Sequence, residues 1–189
     1  HAEVSGLEPD RWYWYQFRAG NELSGVGRTR TFPRAQSAVD RLRFAIASCQ
    51  HYEQVYYTAY EHMAGEDLDL VLHLGDFIYE RSWAQRLGGG APSRVVPPFP
   101  DGVTTPKSRD AVSLADYRHL YKTYLSDPHL QEARANWPFI CTWDDHEFAD
   151  DAFQGFTTYD GQAVLEAQRK LNANQAWFEY IPAVLDELQ

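Results

Sequence analysis

Three short apolar runs in this chain each end in side chains that bind metals or move protons. Leu42–Ser48 leads into Cys49. Leu68–Leu74 leads into Gly75-Asp76 and, three residues on, Tyr79. Pro138–Thr142 leads into Trp143-Asp144-Asp145-His146-Glu147. A thiol, a phenol, an imidazole and several carboxylates are the mixture used in metal-assisted hydrolysis of a phosphate ester. A carboxylate can bridge two cations about 3.5–4 Å apart and leave both open to a phosphate and a water. A nearby imidazole can hydrogen-bond an oxygen that gains charge, or protonate the leaving group. Thiolate and phenolate donors suit a trivalent or soft metal, while carboxylates suit Ca²⁺ or Mg²⁺.

For these residues to meet, the three runs must be strands of one sheet, because ligands of open α/β sheets bind beyond the carboxyl ends of strands. Residues 53–65 supply a crossover, with Val55, Tyr56, Ala59, Tyr60 and Met63 on one helical face. Strand, helix and strand then form a βαβ unit of the usual right hand. Segment 88–106 is rich in Gly and Pro and carries neither period, as expected of a lid, a binding loop or a disordered stretch. Ser113 and Asp116 form a capping box for a helix whose apolar face is Leu114, Tyr117, Tyr121 and Tyr124. Asp127-Pro128 opens another helix. Residues 162–180 predict a last one, apolar at Val164, Ala167, Leu171 and Phe178.

Upstream, Arg11–Ala19 alternates Tyr13, Tyr15 and Phe17 with Trp12 and Trp14, and Gly20-Asn21-Glu22 turns it toward a return strand, Val26–Phe32. Two strands rarely stand alone, so this hairpin reads as the end of a β-domain. Leu7–Tyr13 resembles the tyrosine corner of fibronectin-type sandwiches. The expected organisation is a hairpin over 1–34, a linker over 35–41 and an α/β domain over 42–189.

Gly75-Asp76 followed by Asp145-His146-Glu147 resembles the GD…GNHE pattern of calcineurin-like metallophosphatases. The closer resemblance is to the PhoD-like alkaline phosphatase/phosphodiesterase family. It runs through SCQ at 48–50, DLVLHLGDFIYE at 69–80, YRHLYKTYLSDPHLQEARANWPFICTWDDHE at 117–147 and NANQAWFEYIP at 172–182. It implies an α/β fold: part of a metallophosphatase-type α/β/β/α sandwich, preceded by the last hairpin of a fibronectin-like β-sandwich. It implies hydrolysis of phosphate monoesters or diesters by a metal-bound water or hydroxide, with one Fe(III) and two Ca²⁺ ions and a secreted or periplasmic address. In that resemblance Cys49, Asp76, Tyr79 and Asp145 take metal-ligand positions and His146 that of the catalytic histidine. Asp144 and Glu147 orient these groups or ligate with them. Two departures stand out. Phe148-Ala149-Asp150-Asp151 follows the HE pair where the family commonly has Asn, and its acids read as surface groups. The family's remaining ligands fall downstream of Gln189, so the site within this chain is expected to be incomplete.

Composition bounds the alternatives. A chain of 189 residues with 44% hydrophobic content can bury a sizeable core. Its net charge of -10 argues against nucleic acid and against an anionic membrane surface as bulk electrostatic partners. No apolar run approaches a membrane span. Cys49 and Cys141 are too few for a disulfide framework, and Cys141 reads as a core residue. The chain begins at His1, so a targeting peptide is expected to have been lost with the true start. His51, His62, His73, His119 and His129 read as structural or surface residues. Two rival readings remain: a metal-binding but non-catalytic module, and an extracellular interaction protein whose aromatic strands at 11–19 bind a partner or glycan beside a degenerate phosphatase half.

Overall fold

A computed structural model of the chain describes residues 2–54, 56–83, 94–105 and 108–183. The strands and helices run in the order β1 (Trp12–Tyr15), β2 (Arg18–Ala19), β3 (Glu22–Leu23), β4 (Gly27–Arg30), β5 (Phe44–Ala47), α1 (Thr58–Ala64), β6 (Leu70–His73) and β7 (Arg81–Ser82). They continue with β8 (Val103–Thr104), β9 (Arg109–Asp110), α2 (Leu114–Leu125), α3 (Pro128–Asn136), β10 (Phe139–Cys141), β11 (Phe156–Thr157), β12 (Val164–Leu165) and α4 (Ala167–Tyr180). The chain is a mixed α/β structure that divides into two compact units.

The first unit comprises the chain to Ala47, Tyr57–His73 and Asp127–Ile140. Its three apolar runs form a sheet in the order β10-β6-β5. β5 and β6 pair in parallel, Phe44 opposite Leu70 and Ile46 opposite Leu72, and the Val71 N–H donates to the Pro138 carbonyl at 2.9 Å. The central strand is nearly all apolar, as a strand within a parallel pair tends to be, and Leu70 and Val71 are buried. α1 packs against α3, and the Trp137 indole donates to the Met63 carbonyl at 3.0 Å. Asp127 caps α3 by accepting from the Leu130 N–H at 2.9 Å, with Pro128 at the first helical position as expected. In the hairpin, β1 pairs antiparallel with β4 and β2 with β3. The Tyr13 hydroxyl accepts from the Glu8 N–H at 2.8 Å, the tie-back that the upstream residues suggested. Arg28 lies over the rings of Trp12 and Trp137 and donates to the Asn136 carbonyl at 2.8 Å.

The second unit comprises Ser48–Tyr56, Leu74–Ser126 and the chain from Cys141 onward. Its core is aromatic: Tyr117, Leu120, Tyr121 and Tyr124 of α2 are fully buried, and α2 packs on α4. β7, β9 and β8 form a small antiparallel sheet. Within segment 88–106, Val103–Thr104 is a strand and Val96 and Phe99 are buried; residues 88–93 and 106 lie outside the described residues.

Two helices differ from expectation. Helix α1 starts at Thr58 rather than near residue 53. Glu53 is buried, and its carboxylate accepts from the Ser82 hydroxyl and the Trp83 and Val96 N–H groups, at 2.6, 2.6 and 3.2 Å. That anchoring holds residues 51–54 in a turn. Tyr57 takes the buried place expected of Tyr56, which is exposed, and Val55 lies outside the described residues. Helix α4 starts at Ala167 because Val164 and Leu165 pair with Thr157 and Phe156 as strands. Its buried face is Arg169, Ala173, Ala176 and Trp177, while Leu171 is exposed. Periodicity missed this face because an arginine and two alanines carry much of it.

The α2 capping box does more than close a helix end. The buried Asp116 carboxylate accepts from the N–H groups of Asp101, Val112 and Ser113, at 2.8, 3.0 and 3.0 Å. Asp116→Ala is expected to cost about 2–4 kcal/mol, since three backbone donors lose the acceptor they share. Asp116→Asn should cost less. The midpoint of urea unfolding measures both, and an Asp116→Ala midpoint equal to wild type would refute this account of the loop.

Candidate metal centre

Leaving β5, β6 and β10, the chain runs directly into Ser48-Cys49, Leu74-Gly75-Asp76 and Thr142–Glu147, the segments that carry the singled-out residues. These segments belong to the second unit. They are tied by backbone hydrogen bonds: the Cys49 and Gln50 N–H groups donate to the Gly75 and Asp76 carbonyls, both at 3.2 Å. Gly75 has φ +103°, and a Cβ there would lie 2.5 Å from the Asp144 N and Cβ. The 75–80 and 143–147 loops therefore pass in contact only where a side chain is missing. Cys49 and Asp76 both have left-handed backbones, at φ +53° and +54°. Such a conformation costs on the order of 1 kcal/mol or more in a cysteine and tends to persist where the surroundings enforce it.

Glu147 fastens these loops. Its buried carboxylate accepts from the N–H groups of Asp76 (3.0 Å), Phe77 (2.5 Å) and Asp144 (2.7 Å). Burial pushes its acid up to about 7, against the pull of those three donors toward the carboxylate. Asp144 contributes its backbone, and its side chain is exposed.

Asp76, Asp145 and His146 each place a ligand atom within 4.8 Å of the others. Asp76 is buried; its Oδ2 accepts from the Tyr79 hydroxyl at 3.1 Å, and its Oδ1 has no partner. Burial raises the Asp76 acid, while His146 and the hydrogen bonds from Cys49 and Tyr79 lower it in part. Asp145 is held by its own turn: Oδ1 accepts from the His146 N–H at 3.0 Å and Oδ2 from the Asp151 N–H at 2.5 Å. Its carbonyl accepts from Phe148 and Ala149, both at 2.8 Å. Cys49 is an exposed free thiol within hydrogen-bonding reach of Asp76, but it is not one of the three mutually close groups. The Tyr79 phenol is pushed up by burial and by the Asp76 charge, so it is a neutral donor here. Its ring lies 4.1 Å from the His146 ring and 4.5 Å from the His51 ring, centroid to centroid.

Two further residues beside the site were given no role from the sequence. Glu80, four residues after Asp76, is fully buried and lies 2.7 Å from His146 Nδ1. Burial alone would raise its acid, but His146, Arg81 and the Asp150 N–H hold it below the usual range. His146 is lowered by its own burial, and the hydrogen bond and charge of Glu80, with Asp76 and Asp145, overcome this and carry it up to about 9. His51, one of the histidines read as structural or surface, is buried between Tyr79 and Trp83, and among the described residues neither ring nitrogen has a close hydrogen-bond partner. Burial and the charge of His146 depress it to about 4. Asp150 and Asp151, read as surface acids, stand with Asp145 as a second group of close carboxylates, and Asp150 pairs with Arg81 at 3.1 Å. Chemically, a buried carboxylate oxygen without a donor, a second carboxylate and a nearby thiol and phenol make a cation-seeking array.

The PhoD-like phosphatase N-terminal domain model matches residues 1–33, and the PhoD-like phosphatase model matches residues 44–187. Alkaline phosphatase D of Bacillus subtilis (strain 168) is 43% identical over 193 residues, an alignment covering 100% of this chain and 30% of that protein. A solved PhoD structure is 40% identical, with a TM-score of 0.84 over 100% of this chain and 34% of that one. The chain thus spans about a third of the length of these relatives.

The Glu80–His146 pair sets a pH dependence in chelator-treated protein. Because the imidazole is raised from 6.5 to about 9, its contribution to stability is complete below pH 6.5 and lost as pH rises through about 9. The loss should reach about 2–3 kcal/mol. Urea unfolding of wild type and His146→Gln across pH 6–9.5 measures it; equal slopes for the two proteins would refute the assignment.

Proposed function

The chain belongs to the PhoD-like phosphatase family, and from that premise we propose that the full-length protein hydrolyses phosphate monoesters or diesters with metal ions held in part by Cys49, Asp76, Tyr79 and Asp145. The convergence of Asp76, Asp145 and His146, with the unpartnered buried Oδ1 of Asp76, carries this reading. A buried carboxylate oxygen without a donor is costly, and a cation satisfies it directly. The oxygen donors Asp76 and Asp145 suit Ca²⁺, and the thiol of Cys49 with the phenol of Tyr79 suits Fe(III) once both are deprotonated. Bound there, such ions would polarise phosphoryl oxygens and lower the pKa of a water.

The chain's own residues do the rest. Asp76 would hold metal through its carboxylate, which is kept in place by Tyr79 and by the grip of Glu147 on its N–H. Asp145 is fixed by its turn, and His146 steadies the departing or equatorial oxygens of the ester. Asp144 shapes the approach of the loops through its backbone. Residues 1–34 form the end of an N-terminal β-domain and 42–189 the first part of an α/β/β/α phosphatase domain, joined by 35–41; the separate family models over 1–33 and 44–187 support that division. A secreted or periplasmic address accords with the family resemblance.

In the full-length protein, Asp76→Asn and Cys49→Ser should each lower kcat/KM toward p-nitrophenyl phosphate or bis(p-nitrophenyl) phosphate about 100-fold or more and reduce bound metal. Undiminished hydrolysis with full metal content would overturn the assignment. Wild-type protein that holds metal without hydrolysing either ester would favour a binding module instead. Tyr79→Phe should abolish a visible phenolate-to-Fe(III) absorption band, and an unchanged spectrum would remove Tyr79 from the ligands.

A further inference from the structure

We infer that Glu80 is a positioning residue of the site: it fixes the orientation of the His146 ring and so presents the outer ring nitrogen to the phosphate ester. The inference rests on the hydrolytic reading above and adds a residue to it. Glu80 is fully buried, and its Oε2 lies 2.7 Å from His146 Nδ1. With Nδ1 committed to a carboxylate, Nε2 is the nitrogen left for other chemistry; its neighbour among the described ion pairs is Asp150, at 3.7 Å.

Glu80 is itself held firmly, as a positioning group must be. Its Oε1 accepts from the Tyr159 hydroxyl at 2.7 Å and from the Asp150 N–H at 3.0 Å, and Arg81 Nε lies 3.2 Å away. Arg169 on α4 donates to the Tyr159 hydroxyl at 3.1 Å and to the Tyr117 hydroxyl at 3.0 Å. Tyr117 in turn donates to the Phe148 carbonyl at 2.7 Å, two residues beyond His146. The imidazole is thus braced through its ring by Glu80 and through its turn by Tyr117, and Arg169 ties the two braces together. A carboxylate placed this deep, with both oxygens engaged, orients its partner without touching a substrate.

The test is a double-mutant cycle in the full-length, metal-loaded protein, read as kcat and KM on bis(p-nitrophenyl) phosphate. Glu80→Gln should lower kcat about 10- to 100-fold and leave KM within about threefold. In a His146→Ala background the same change should cost nothing further, because its effect passes through the imidazole. Should Glu80→Gln fail to fold, Tyr159→Phe, which removes one donor to Glu80, is expected to show the same pattern on a scale of about threefold. Hydrolysis by wild type that is indifferent to these changes, or that falls equally in both backgrounds, overturns this inference alone. A wild-type protein that hydrolyses no ester overturns the reading beneath it.

Discussion

Glu147 is the residue whose loss would undo the most. Three backbone N–H groups from two loops converge on its buried carboxylate, and among the described residues those of Asp76 and Asp144 have no other acceptor. Buried N–H groups without an acceptor are expensive, so the loops could not approach this closely without it. Gly75 makes the approach possible in space, and Glu147 makes it possible in hydrogen bonding. Asp76 and His146 inherit their positions from that fastening. Since both oxygens of Glu147 are engaged by backbone, it shapes the centre by holding the loops that carry its donors.

Charge is divided around the centre in a consistent way. Glu80 is surrounded by His146, Arg81, the Tyr159 hydroxyl and a backbone N–H, so its negative charge is matched inside the protein. Among the described residues Asp76 has the Tyr79 hydroxyl, the Cys49 thiol and the field of His146, and its Oδ1 accepts no hydrogen bond there. One carboxylate is therefore finished and the other is not. A buried carboxylate oxygen without a donor is costly, and a cation is one partner that would satisfy it. The excess of acids, which gives the chain its charge of -10, is in this region a local property with a local purpose.

Much of the fold was legible because it rests on local rules. The Ser113–Asp116 box, the Asp127-Pro128 helix start and the turn at Gly20-Asn21 are short-range hydrogen-bond and backbone preferences, and each occurs where the residues predicted it. Helix boundaries failed where a distant partner intervened. Glu53 left the helical pattern to serve donors near residues 82–96, and Val164-Leu165 left it to pair with Phe156-Thr157. The buried face of α4 was hidden for a related reason, since Arg169 is buried through its bonds to two tyrosine hydroxyls rather than through hydrophobicity.

The candidate site divides along the same line. Residue type and spacing after three apolar runs were enough to single out Asp76, Tyr79, Asp145 and His146, because strand ends gather side chains in any open α/β sheet. That argument works on neighbours in the chain and on one general rule of topology. It could not foresee that Cys49 is exposed and stands outside the Asp76, Asp145 and His146 group, nor that His51 is buried beside Tyr79. Glu80 was out of its reach altogether: an acid following a tyrosine has no pattern of its own. Its role exists only through a 2.7 Å contact with a histidine 66 positions away. Local preference and composition travel with the residues, whereas desolvation and long-range pairing arise only when the chain closes on itself.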